Sequence, residues 1–280
     1  MINVNGTLVS KGNISVEENR GFLYGDALFE TLRVLDNKVL FLEDHYFRLM
    51  SSMRILRMEI PMSFTMEFFQ DEILKVIDSE EHPSNAYRVR FTVFRDAEGT
   101  YLPLSRKIGY IVSIKPLSNP LFAYSSSPYE VEIYKDFYVT SHLLSNLKTT
   151  NRLINITGSI FAQENDYQNC LLINDAKSIV EGLNGNLFVV KDKVIKTPPL
   201  ADGCVKGIMR KQIMEIIEKH PDYTLEESSV SPFELQKADE MFLTNAIVGI
   251  QPITKYRKKE YTTEVSKDLI TKLNAKVRFL

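Results

Sequence analysis

Little in this chain of 280 residues points to a metal, a disulfide framework or a membrane. It has two cysteines, Cys170 and Cys204, and four histidines, His45, His82, His142 and His220. The cysteines have neither ligand spacing nor the density of a disulfide scaffold, and the histidines are scattered. No metal centre is expected, and both thiols read as core residues. No apolar run approaches the roughly 20 residues that span a bilayer. The N-terminus, MINVNGTLVSKGNISVEENRG, lacks a basic stretch followed by an apolar core, so the sequence reads as cytoplasmic. The 34 basic and 36 acidic residues leave a net charge of −2, with no like-charge block longer than a few residues, which argues against a nucleic-acid partner. Low-complexity segments and fixed-period repeats are also missing.

What is present is an ordinary globular composition, 44% hydrophobic, at a length that suits one large domain or two medium ones. Residues 2–9 and 38–43 read as short strands, the first broken by Asn5-Gly6. Apolar residues at Leu42, Tyr46, Leu49, Met50 and Met53 predict a helix from Glu43 to about Arg57. A second helix is expected from Phe64 to Ile77, burying Phe68, Ile73, Val76 and Ile77. Tyr87–Phe94 and Lys107–Ile114 look like paired strands. The Pro- and Ser-rich stretch 115–128 then reads as a linker between a small domain, 1–114, and a larger one, 129–280. In the second half, strand-like runs at 131–139, 169–173, 187–190, 193–196 and 240–244 alternate with helices near 149–163, 206–219 and 264–277. The fold class is α+β with a β-rich second part.

Four features carry chemistry. Lys148 stands in the largely apolar and hydroxylated stretch His142-Leu-Leu-Ser-Asn-Leu-Lys-Thr-Thr-Asn-Arg-Leu153. Alone it reads as a surface lysine with its stem on apolar neighbours, or as a desolvated amine that attacks a carbonyl. Glu181, in Val180-Glu-Gly-Leu-Asn-Gly-Asn-Leu-Phe188, is either solvated beside a turn or a partner for a cationic ring nitrogen. Gly207 opens an amphipathic helix whose first N–H groups suit a phosphate, and Leu243-Thr-Asn-Ala246 leads into a small-residue turn that could add donors. Arg48 could supply a bidentate phosphate contact. A lysine, an acid and two phosphate-type turns, in that order, are what a protein offers to pyridoxal 5′-phosphate (PLP).

The order and wording of these pieces resemble the class IV, or fold-type IV, PLP enzymes, which include branched-chain aminotransferases, D-amino-acid aminotransferases and aminodeoxychorismate lyases. The resemblance runs from about residue 2 to residue 253. Its motifs are Asn19-Arg-Gly-Phe-Leu-Tyr-Gly-Asp-Ala-Leu-Phe-Glu-Thr-Leu-Arg33, His45-Tyr-Phe-Arg-Leu49, Lys148-Thr-Thr-Asn-Arg-Leu153, Glu181 through Phe188, Thr197-Pro-Pro-Leu200, Gly207-Ile-Met-Arg210 and Leu243-Thr-Asn-Ala246. It implies a two-domain subunit, with a small N-terminal α/β sandwich and a larger C-terminal β-rich pseudo-barrel, paired in a homodimer. It implies that Lys148 binds the cofactor covalently, that Glu181 pairs with the pyridine nitrogen, and that Asn186, in the same motif, belongs to the cofactor site. Arg48 and the backbone N–H groups of Ile208, Met209, Asn245 and Ala246, with Gly207 at the helix start, then surround the phosphate.

Two positions depart from the aminotransferases of this family, which usually carry threonine where Met209 stands and a hydroxyl residue where Ala246 stands. Both departures, and Lys148-Thr-Thr-Asn-Arg-Leu153, are closer to the lyase branch. Tyr24, Phe29 and Arg33 match positions lining the substrate pocket of branched-chain enzymes, and Arg90 matches a carboxylate-binding arginine. Arg88 replaces a tyrosine of those enzymes and shares a strand face with Arg90. As two solvated arginines on an edge strand they would mean nothing; as a pair they favour a substrate with more than one carboxylate. The expected function is therefore 4-amino-4-deoxychorismate lyase, releasing 4-aminobenzoate and pyruvate. The alternative is transamination of branched-chain or D-amino acids with 2-oxoglutarate.

Overall fold

The computed structural model describes residues 1–10 and 14–279. These form two compact units, one comprising Met1–Pro120 with Lys148–Asn151, the other Leu121–Leu147 with Arg152–Leu280.

The first unit has strands β1 (Ile2–Val4), β2 (Thr7–Val9), β3 (Ala27–Leu35), β4 (Lys38–Val39), β5 (Ala86–Arg95) and β6 (Ile108–Pro116). Its helices are α1 (Arg20–Leu23), α2 (Leu42–Ile55) and α3 (Met66–Asp78). The strands make one six-stranded sheet in the order β2-β1-β6-β5-β3-β4. Alternation decides which side is covered: Leu28, Leu32 and Val34 of β3 and Val89, Phe91 and Val93 of β5 are buried on the helix side with Leu49 and Met53 of α2 and Phe69, Ile73 and Val76 of α3. The expected strand at 38–43 ends at Val39, because Leu42 already begins α2. In α3 the phase differs by one residue from expectation: Phe69 is fully buried, while Phe68 lies half-exposed with its ring 5.6 Å from that of Tyr110.

The second unit has strands β7 (Glu130–Val139), β8 (Asn169–Asn174), β9 (Ile179–Gly182), β10 (Asn186–Lys191), β11 (Val194–Thr197), β12 (Thr224–Glu227), β13 (Glu240–Asn245), β14 (Gly249–Ile253), β15 (Lys255–Tyr256) and β16 (Lys259–Glu260). Its helices are α4 (Leu153–Glu164), α5 (Ile208–Glu218), α6 (Pro232–Lys237) and α7 (Glu264–Arg278). Two five-stranded sheets result, β12-β11-β10-β13-β14 and β16-β15-β7-β8-β9. Val131, Ile133, Leu171 and Ile179 of one sheet interdigitate with Leu187, Val189, Met241 and Leu243 of the other, so the core lies between them. The opposite face of β10 and β13 carries the stacked rings of Phe188 and Phe242, 5.0 Å apart. Buried Glu240 fastens α7, its carboxylate accepting the N–H groups of Val265 and Ser266 at 3.0 and 2.6 Å. The helix expected from 149 begins at Leu153, because Thr149 bridges to Leu28 and the N–H of Thr150 donates to Ala27 in extended backbone.

Candidate active site

In the first unit, the backbone holds Lys148 against β3: the N–H of Phe29 donates to the Lys148 carbonyl at 2.9 Å. The Lys148 ammonium then lies 4.6 Å from the centre of the Phe29 ring, and the Arg90 guanidinium lies 3.8 Å from that centre. One aromatic ring thus contacts two cations, an arrangement that the ring quadrupole favours and that keeps both away from bulk water on one side. Phe29, Thr31 and Arg33 share a face of β3, and strand pairing puts Arg90 opposite Thr31 and Arg88 opposite Arg33. Lys115 lies opposite Arg88 on the next strand. Arg33 is buried and donates to the carbonyls of Asn119 and Pro120, and that burial lowers the pKa of its guanidinium. Tyr24, at the end of α1, is partly exposed, with the Arg20 guanidinium 4.9 Å from its ring centre.

Arg48 belongs to a different group. Glu30 alternates with Phe29 and so points to the helix side of the sheet, where Arg48 and His45 of α2 meet it. Arg48 Nε donates to Glu30 Oε1 at 2.7 Å, and His45 Nδ1 is 2.7 Å from Oε2. Burial alone would raise the Glu30 carboxyl, but the Arg48 charge and hydrogen bonds from His45 and Arg48 outweigh it and hold the group at about 2. The Glu30–His45–Arg48 cluster was not legible in the sequence; the available signal was an acid in an otherwise apolar strand, which needs a partner when buried.

In the second unit, Glu181 lies within β9, not in the turn that follows. Its carboxylate is buried, and Oε2 accepts from the Val205 N–H at 3.0 Å and from Asn186 Nδ2 at 3.3 Å. Asn186 also donates to the Val205 carbonyl at 2.8 Å, so its side chain is pinned. Position 207 must then be glycine, because a Cβ there would stand 1.9 Å from the Asn186 amide oxygen. Gly207 is the N-cap of α5 and has no side chain to cap it, which leaves the N–H groups of the first turn, those of Ile208 and Met209 among them, facing outward along the dipole. Asn245 folds its turn by accepting the N–H groups of Ile247 and Val248, with Ala246 between. Thr244, which precedes them, carries a hydroxyl that is buried without a hydrogen-bond partner. The structure therefore brings together Glu181, Asn186 and Gly207 in one unit, and Phe29, Arg90 and Lys148 in the other.

These residues fit PLP. An anionic group suits the uncapped start of α5, and the orphaned hydroxyl of Thr244 nearby has a donor to give. Glu181, already oriented by two neutral donors, suits a ring nitrogen that carries a proton. No group of three or more His, Cys, Asp or Glu side chains that could hold a metal occurs among the described residues. Nor is any helix among them long and apolar enough to cross a membrane.

A lysine held against an aromatic ring in one unit, and a buried acid and an uncapped helix start in the other, are the groups that the PLP reading calls for. Comparison with known proteins gives the same class: residues 27–256 match the family described as amino-transferase class IV. The chain is 26% identical over 260 residues to D-alanine aminotransferase from Bacillus licheniformis, covering 89% of this chain and 86% of that one. Its fold matches 4-amino-4-deoxychorismate lyase from Pseudomonas aeruginosa with a TM-score of 0.83 at 25% identity, covering 98% of each chain. It also matches the branched-chain amino acid aminotransferase of Thermobaculum terrenum in its PLP form, with a TM-score of 0.84 at 19% identity over 99% of this chain and 93% of that one. The chain belongs to the class IV aminotransferase family. It is a PLP-dependent enzyme of fold type IV, as the motifs implied.

Proposed function

We propose that the enzyme is a 4-amino-4-deoxychorismate lyase, splitting its substrate into 4-aminobenzoate and pyruvate. The observation that carries this reading is the cross-strand row Arg33, Arg88 and Lys115, continued by Arg90, on the sheet face that bears Phe29 and Lys148. Like charges opposite one another repel, and neither Arg88 nor Lys115 has an acidic partner among the described residues. A substrate with two carboxylates relieves that repulsion; a monocarboxylate amino acid leaves much of it in place.

PLP when bound supplies an electron sink for a carbon that loses a proton. Lys148 would hold the cofactor covalently and act as the base for the proton on the ring carbon that bears the amine. Glu181 keeps the proton on the ring nitrogen, with Asn186 and the Val205 N–H fixing the carboxylate. Arg48, Gly207, Ile208, Met209, Asn245 and Ala246 hold the phosphate. Arg88 and Arg90 bind the substrate carboxylates, with Arg33, Phe29 and Tyr24 lining the pocket. Loss of the ring proton and rupture of the adjacent carbon–oxygen bond make the ring aromatic, and the departing enolpyruvyl group gains a proton to become pyruvate. The two products together hold the atoms of the substrate, so no acceptor is consumed.

The likeness to D-alanine aminotransferase supports the second reading, transamination, in which Lys148 would return the proton it took and a 2-oxo acid is required. The assay that separates them supplies aminodeoxychorismate without 2-oxoglutarate. Release of 4-aminobenzoate and pyruvate supports the lyase, and dependence on the acceptor rejects it. We also propose that the enzyme works as a homodimer: Leu153, Ile156 and Ile160 leave an exposed apolar stripe at helical spacing on α4, continued by Leu143 and Leu144.

A further inference from the structure

Met209 and Ala246, two positions that the resemblance sets at the phosphate, carry no hydroxyl. We infer that Thr244 supplies the missing donor, its hydroxyl hydrogen-bonding the cofactor phosphate. The inference rests on the assignment of PLP to this chain.

Thr244 is 1% exposed, and its Oγ1 is the only side-chain hydroxyl among the described residues that is buried without a partner. A hydroxyl stripped of water and left unbonded is costly, so native proteins keep such groups where a ligand or water completes them. The nearest comparable case in this unit obeys the rule, because the buried hydroxyl of Thr197 donates to the Leu187 carbonyl at 2.8 Å. Thr244 makes no such bond.

Its position points to an anion. Thr244 is the cross-strand partner of Asn186, so both side chains stand on one face of the sheet with their Cβ atoms about 5 Å apart. The Asn186 amide lies against Gly207, the uncapped start of α5. Thr244 thus shares its face with the residue that touches the helix start, and the chain immediately after it forms the Asn245–Ala246 turn. A hydroxyl with one proton to donate suits a phosphate oxygen here, and the uncapped N–H groups of the helix start would serve the same group. Arg210, another buried donor on this helix with a nitrogen lacking a partner, is already held by the Pro198 carbonyl at 2.9 Å and by Glu227 at 3.3 Å.

The test compares PLP with pyridoxal, which lacks the phosphate, in binding to cofactor-free enzyme. Thr244→Val should weaken PLP by about 10- to 100-fold, the loss of one hydrogen bond to a charged group, and leave pyridoxal unchanged. Competition by inorganic phosphate should weaken in parallel, and Thr244→Ser should restore both. The melting temperature of cofactor-free Thr244→Val should equal or exceed that of the parent, because an unbonded polar group has been removed. Equal PLP affinity in Thr244→Val and the parent overturns the inference, as does an equal loss for PLP and pyridoxal, or a lower melting temperature without cofactor. A parent enzyme that binds no PLP overturns the cofactor assignment first, and the role of Thr244 with it.

Discussion

Arg48 and Glu30 form a two-point ion pair beneath the sheet of the first unit, Nε to Oε1 at 2.7 Å and a terminal nitrogen to Oε2. Both groups are less than 10% exposed, and His45 completes the set at 2.7 Å from Oε2. The pair fixes the plane of an arginine whose proposed role is the phosphate contact, so Glu30 is proposed to position Arg48.

Removing the acid leaves a buried guanidinium uncompensated. Glu30→Ala should cost about 3–5 kcal/mol of stability, read as a shift of the urea midpoint at unchanged slope. It should also weaken PLP binding, since Arg48 loses its orientation. A variant as stable as the parent would show that the pair contributes nothing.

The same pair sets the response to acid. The folded value of Glu30, about 2, lies below its ordinary 4.5, so its contribution of ~3 kcal/mol is complete above 4.5 and lost as pH falls from 4.5 toward 2. His45 acts in the same direction: burial, outweighing its contacts with Glu30, lowers its pKa from the ordinary 6.5, so its share fades as pH drops below 6.5. Glu30→Gln should therefore lose less stability than the parent between pH 4.5 and 2 in urea titrations. Parallel curves for the two proteins would contradict this.

Arg88 has the separation of substrates by charge as its proposed role. Arg88→Leu should lower kcat/KM for aminodeoxychorismate by about 10- to 100-fold, the price of one charge-assisted hydrogen bond. Activity toward D-alanine, with its single carboxylate, should change little. Equal losses on both would assign Arg88 to the sheet and not to the substrate.

The two thiols should be silent in the native enzyme. Burial raises Cys170 to about 11 and Cys204 to about 12, and the Glu181 charge adds to the rise at Cys204. A thiol reagent at pH 8 should modify neither until urea unfolds the chain. Rapid labelling of folded protein would place a thiol at the surface.

The long strands of the first unit were readable because alternation is a strong signal: β5 and β6 were expected within two residues of where they lie. The stretch Glu181–Phe188 stood out as a motif, and the structure shows why it holds its shape, since Asn186 spans Glu181, Val205 and Gly207. Other features depend on partners distant in sequence. Helix periodicity around residue 68 is satisfied by either of two adjacent phenylalanines, and the sheet beneath decides for Phe69, whose ring packs 4.6 Å from Phe91. The residues after Lys148 have helical composition, but bonding to Ala27 and Leu28 keeps them extended up to Asn151. Thr244 carries no local mark, and Glu30 only that of an acid in an apolar strand. An ion pair across 18 positions and a hydroxyl with no partner become visible only once the chain is folded.

The central claim is that the cation row on the Lys148 face serves a lyase. Its most direct test is a reaction of purified, PLP-loaded enzyme with excess aminodeoxychorismate and no 2-oxo acid. The account predicts pyruvate and 4-aminobenzoate in equal amounts, continuing past one equivalent per site when substrate is in excess. Products that stop at one equivalent until 2-oxoglutarate is added, or no 4-aminobenzoate at all, would contradict it.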